Sequence, residues 1–215
     1  STGADYDKLN YLNAMSRYVC SHNPDEKELV RRFKKVMARP DQSELITGLA
    51  QITGGTAFAV FFGCDLQDAV VALIVCLMIV LVGRWLSRRE GNPMIYNLIL
   101  AFLSEVVIVT AVRSGLGHHP DRIMIGIVML LVSALGAING MRDVMQRNFI
   151  SGSLEVMNSM LGAFGIAFGI ALAMMLMGNI SAEGFDVNNN TVIQLISCTI
   201  GCTGYASWFK IRGKK

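Results

Sequence analysis

Apolar and polar positions vary along this chain on two scales, and each scale predicts a different kind of element. Up to Glu44 the chain is polar, with apolar residues at helical spacing. Leu9, Leu12, Met15 and Val19 mark one amphipathic helix; Leu29, Val30, Phe33, Val36 and Met37 mark a second, opposite Arg31, Arg32, Lys34 and Lys35. Asn23 is the expected N-cap of the second helix, with Pro24 at its first position, Asp25 and Glu26 in its first turn, and Arg39-Pro40 closing it. A basic amphipathic helix can lie on an anionic membrane surface or serve as a solvated linker packed on its neighbours. Beyond Glu44 come long apolar runs separated by short polar loops. A helix needs about 20 residues to cross a hydrocarbon core of about 30 Å. The runs predict spans near 45–63, 66–86, 95–115, 122–140, 152–178 and 191–210. The first, with Gly48, Gly54 and Gly55, is the least apolar, and the fifth is long enough to tilt or to extend beyond the hydrocarbon. Continuous runs lack the alternation that barrel strands require.

Composition turns this pattern into a class. The 215 residues are 53% hydrophobic and 16% charged, where a soluble domain carries about a quarter charged residues. The expected fold class is an all-α integral membrane protein: about six transmembrane helices preceded by a short cytoplasmic amphipathic helical segment. Disorder is excluded, because it needs low hydrophobicity. The net charge of +3 is a topology signal. With the amino-terminal segment cytoplasmic, only Arg113 and Arg122 of the 19 Lys and Arg fall on the outer side, and the loop around Glu183 and Asp186 has neither residue. Nucleic acid is therefore not an expected partner. Five scattered cysteines without a CxxC pair indicate neither a zinc site nor a disulfide framework, and Cys198 and Cys202 are expected simply to pack.

Polar groups at membrane depth are the candidates for chemistry, since a charge there costs at least about 2.5–3.5 kcal/mol on insertion scales. Glu105, beside Ser104 near the middle of the third span, either carries protons or substrate contacts or serves helix packing. Asp68, at the start of the second span, caps that helix or takes part in function. Asn139, Gly140, Arg142 and Asp143 end the fourth span, and Glu155, Asn158 and Ser159 share one face of the fifth. That polar face suggests a water-filled vestibule open to the cytoplasm, although Arg142 and Asp143 also suit a plain interfacial anchor. In the fifth span Gly165, Gly169 and Ala173, with a parallel stripe of Ala163, Ala167 and Ala171, suit close helix packing. His118 and His119 fall in an external loop with no third metal ligand evident, so no metal and no cofactor is expected. No Walker loop, HExxH, GxSxG or dinucleotide fingerprint occurs; neither an ATP-driven pump nor an enzyme is expected.

The stretch Leu131-Val-Ser-Ala-Leu-Gly-Ala-Ile-Asn139-Gly-Met-Arg142-Asp143, followed by Ile150-Ser-Gly152, resembles the bacterial threonine/serine exporter family. The likeness extends through Gly54-Gly55, Phe61-Phe62-Gly63, Asp68, Gly115-Leu-Gly117 and the amphipathic lead-in. Where the family has a Pro-Gly step this chain has Ser133-Ala134. Glu155 and Asn158 stand where a basic and then an acidic residue are expected, while Asn139 and Asp143 match. The resemblance implies a multi-pass protein of the bacterial cytoplasmic membrane, built from two five-span halves. Residues 1–44 would end a truncated cytoplasmic domain, residues 45–178 would form the five-span domain, and residues 191–215 would begin the missing second half. It implies secondary export of a small amino acid, driven by a proton or other ion gradient. Asn139 and Asp143 would shape the inner vestibule and Glu105 would be a proton site, with Glu155, Asn158 and Asp68 along the pathway. Expected partners are the amino acid substrate, the bilayer and the second half, with a homo-oligomer left open. Export of small organic acids such as dicarboxylates, or a scaffold role without transport, are the alternatives.

Overall fold

The structure, a computed structural model, describes residues 6–22, 25–38, 44–89, 91–132, 134–178 and 191–208. These hold helices α1 (Tyr6–His22), α2 (Glu26–Met37), α3 (Glu44–Phe61), α4 (Leu66–Leu86), α5 (Pro93–Arg113), α6 (Pro120–Leu131), α7 (Ala134–Met145), α8 (Phe149–Met177) and α9 (Thr191–Trp208). The described residues contain no strand. The two amphipathic helices form as expected. Asn23, Pro24, Arg39-Pro40, the loop with Glu183 and Asp186, and the basic end from Lys210 lie outside the described residues.

By length and composition α4 and α5, at 21 residues each, and α8, at 29, can cross a membrane, while α3 and α9 are shorter apolar helices. The continuous span expected over 122–140 is corrected: α6 and α7 are separate helices bent by 48°. Val132 is extended at φ −68°, ψ 122°, and its N–H still bonds the Val128 carbonyl, closing α6. Different partners account for the bend. α6 packs on α3, where a Cβ at Gly126 would come 2.7 Å from Ala59. α7 packs on α8, where a Cβ at Gly140 would come 2.9 Å from the Gly152 carbonyl. Each half follows its own groove, and α6 ends at Leu131 without a proline.

The core lies among α3, α4, α5 and α6, around Ala59, Ala72, Val75, Cys76, Leu100, Ile108, Ile123 and Ile127. Asn92 starts α5, its side-chain oxygen accepting the Met94 N–H at 3.0 Å ahead of Pro93. The outward faces are apolar too: Leu73, Ile74, Leu77 and Leu81 of α4 are exposed, as suits a helix in lipid.

The most extensive helix pair is α5 with α8. Gly165 lies against the Met94 carbonyl and Gly169 against the Leu98 carbonyl, so close that a side chain at either would meet α5 backbone. Ala173 completes this buried stripe, whereas Ala163, Ala167 and Ala171 are exposed. Of the two stripes in the sequence, the first forms the contact. The helices run parallel, because Met94 meets Gly165 near the start of α5 and Arg113 bonds the Met177 carbonyl near its end. Residues 149–161 of α8 thus run about 20 Å past the start of α5, which explains the length of the fifth apolar run.

Gly169→Leu should separate α5 from α8 and destabilise the fold by about 1–3 kcal/mol or more, whereas Ala167→Leu on the exposed stripe should leave stability within about 0.5 kcal/mol. Unfolding of the detergent-solubilised protein measures both.

Candidate functional site

Three polar groups stand out, and the fold sets them at different levels along the helices. At the end of the bundle where α4 and α6 begin, Asp68 has no solvent exposure and is bonded on every side. Its Oδ1 accepts the backbone N–H of His118 at 2.8 Å and of His119 at 3.4 Å. Its Oδ2 lies 3.0 Å from His119 Nδ1, which donates when that nitrogen carries the proton, and also accepts the Asp65 N–H at 3.4 Å. Asp68 is therefore both the third helical residue in the capping box that Asp65 opens on α4 and the anchor of the loop before α6. Arg122, 8% exposed, makes a second tie by donating from Nη1 to the Gly63 carbonyl at 2.7 Å. Together these bonds lock the α3–α4 turn to the α5–α6 loop.

Sequence reasoning placed His119 in a solvated loop; in the fold it is half-buried and faces Asp68. Only the pairing of two distant loops makes this visible, and no spacing along the chain signals it. Asp65, Asp68 and His119 offer ligand atoms within 4.8 Å of one another, a donor set that suits a divalent cation. A cation there would have to replace the His119–Asp68 bond. Cys64 beside them does not extend the set: burial, with the Asp68 charge adding to it, pushes its thiol up to about 12, and a metal ligand has to be a thiolate.

At mid-depth lies Glu105, 3% exposed. α5 meets α8 through Met94, Leu98, Ala101 and Phe102, and at about 100° per residue Glu105, one turn past Ala101, continues that face. Glu105 thus belongs to the seam with the small residues of α8. Its Oε2 is buried with no hydrogen-bond partner among the described residues. Neighbouring Ser104 turns back to its own helix, donating to the Leu100 carbonyl at 2.7 Å.

At the opposite end, α7 and α8 form a hairpin turned by Arg147 in the left-handed region, at φ 68°, with the Asn148 N–H bonded to the Asp143 carbonyl at 2.9 Å. The seam consists of Gly140 and Val144 against Gly152 and Val156. Helical periodicity places Asn139 and Asp143 of α7, and Glu155, Asn158 and Ser159 of α8, on one flank of this seam. Asn139, Glu155 and Asn158 are exposed, and Asp143 is half-buried. The Ser159 hydroxyl donates to the Glu155 carbonyl at 3.0 Å. The same flank of α8 continues outward as Gly162, Gly165 and Gly169, the face covered by α5. The fold therefore aligns the inner polar group with the seam that holds Glu105, and leaves Asp68 at the opposite end.

A family model described as "Putative threonine/serine exporter" (ThrE) matches residues 1–177, through the last residue of α8. No curated protein and no solved structure gives a match.

Asp68→Ala would leave the His118 and His119 amides without their acceptor. A loss of about 1–3 kcal/mol is expected, together with faster hydrogen exchange at those two amides, and Asp68→Asn, which retains an acceptor oxygen, should lose less. Cys64 should resist maleimide near neutral pH while exposed Cys20 reacts; mass spectrometry of the labelled protein distinguishes the two.

Proposed function

The chain belongs to the ThrE family, and on that premise we propose that it forms part of a secondary transporter that exports a small amino acid of the threonine/serine type across a bacterial cytoplasmic membrane, driven by a proton or other ion gradient. The observation that carries this reading is the alignment of the polar flank of the α7–α8 hairpin with the α5–α8 seam. The flank joins two carboxylates, Asp143 and Glu155, to two amides, Asn139 and Asn158. A zwitterionic amino acid needs both kinds of partner: a carboxylate for its ammonium group and amide donors for its own carboxylate. Two carboxylates disfavour a dicarboxylate by like-charge repulsion, which ranks that alternative second. A non-transporting scaffold has no use for a buried Glu105 carboxyl with one oxygen unpartnered among the described residues.

In this reading the amino acid is gathered at the inner mouth by Asp143 and Glu155, oriented by Asn139 and Asn158, and passed along the α8 face. A carboxyl within the membrane has to find a partner or hold a proton. Glu105 would alternate between the two and so tie substrate movement to the ion gradient. Asp68 and His119 would hold the outer loops closed. The amino-terminal helices lie on the cytoplasmic side, with the basic loops. α9 would begin a second transmembrane half. It packs on α3, where a Cβ at Gly204 would come 3.1 Å from the Gly54 nitrogen, so this contact would join the halves.

In the full-length protein Asp143→Asn should slow threonine efflux about tenfold through loss of one charge-assisted bond, and Glu105→Gln should abolish its dependence on the pH gradient. Unchanged pH-dependent efflux in both variants would remove these assignments. Labelled threonine should show counterflow and a dicarboxylate should not. If α9 begins a second half that transport requires, the 215-residue chain alone in liposomes should carry out no export.

A further inference from the structure

The amphipathic helix α2 presents an apolar stripe that is exposed. Among the described residues α2 packs on α1 and makes no extensive contact with any of the later helices. Tyr18 of α1 contacts one side of it: the Arg32 guanidinium stacks over the Tyr18 ring at 4.0 Å, and Glu28 bonds the Arg32 Nε at 3.0 Å. On that side Leu29 and Val36 are half-buried. At about 100° per residue, Val30, Phe33 and Met37 lie on the next face round, away from Tyr18, and they are 44%, 45% and 54% exposed. Lys27 and Lys34 flank this stripe and Arg31 and Lys35 follow, all four exposed. Only two Glu oppose five Lys and Arg in the helix, and Glu28 is already engaged by Arg32.

Chain length keeps this helix near the bilayer. Residues 38–43 are all that separate α2 from α3, so Met37 stays within about 25 Å of the start of the first membrane helix. A narrow apolar stripe bordered by lysines, tethered at a bilayer surface, has the chemistry of an interfacial helix: apolar side chains enter the acyl boundary while ammonium groups reach the headgroup phosphates.

We propose that the Val30–Phe33–Met37 stripe of α2, with Lys27 and Lys34, docks on the adjoining leaflet by binding anionic lipid headgroups. The charge complementarity selects anionic over zwitterionic lipid. The proposal shares with the transport reading only the placement of this segment beside the basic loops, and requires no transport.

The test uses the full chain in nanodiscs, whose two faces are both open to protease. Trypsin cleavage after Arg31 and Lys35 is followed in phosphatidylcholine alone and in an equal mixture with phosphatidylglycerol. Cleavage should be about tenfold slower with phosphatidylglycerol, and high salt should abolish the protection. The Lys27→Glu/Lys34→Glu double variant and, separately, Phe33→Ser should each lose it without a change in unfolding of the membrane helices. Equal cleavage in the two lipids would overturn the proposal. So would protection that persists in phosphatidylcholine and in detergent, which would assign the stripe to a protein partner or a second copy. Threonine efflux is measured separately, so failure of the transport reading leaves this result standing.

Discussion

Lipid gives two apolar helices no net reason to leave it, so helices in a bilayer associate by packing closely enough for dispersion and polar contacts to exceed those with acyl chains. The contact of α5 with α8 meets that requirement at Gly165, Gly169 and Ala173, where the backbones come within reach of one another. Much of the remaining architecture follows from it. The register of the seam sets how far α8 runs past α5, and the overhanging turns give α7 its extensive partner among the described residues. The break between α6 and α7 follows in turn, since one half of that span is drawn to α3 and the other to α8.

Two buried carboxylates show opposite solutions to the cost of a charge out of water. Asp68 is surrounded by N–H donors from two loops and works as structure. Glu105 lies in a seam of small apolar residues with one oxygen unpartnered. A buried group that lacks a partner costs stability, and such a cost is tolerated where a site has to change its state. The contrast makes Asp68 a fastening of two loops, and it is the reason the transport role is proposed for Glu105, although both carboxylates arise in apolar helices of similar composition.

The polar flank and the seam also divide the work of a transporter in an economical way. In the proposed cycle, selectivity would belong at the exposed Asn139, Glu155 and Asn158, where a zwitterion could exchange its hydration shell stepwise. Coupling would belong at Glu105, which is buried and where each protonation state weighs more. One continuous face of α8 serves both, lined by polar groups where it is open and by glycine where α5 closes it.

Sequence by itself determined the class and the helices, and it set an expectation for the side of the membrane on which most charges lie, because each is a local property. Apolar run length decides whether a helix can span, helical spacing shows which faces are apolar, and the positions of Lys and Arg follow the asymmetry of insertion. The resemblance carried by Asn139 through Asp143 also pointed to the family before any fold was known. Pairing was beyond its reach. Both the glycine stripe and the alanine stripe of α8 suit close packing, and only the presence of α5 on one side tells them apart. His119 is fifty-one positions from Asp68, and no periodicity connects them; the meeting of two loops does. The bend after Leu131 was hidden for the same reason. Without a proline or glycine to break it, that helix yields to the competing partners of its two ends, and those partners exist only once the chain has folded.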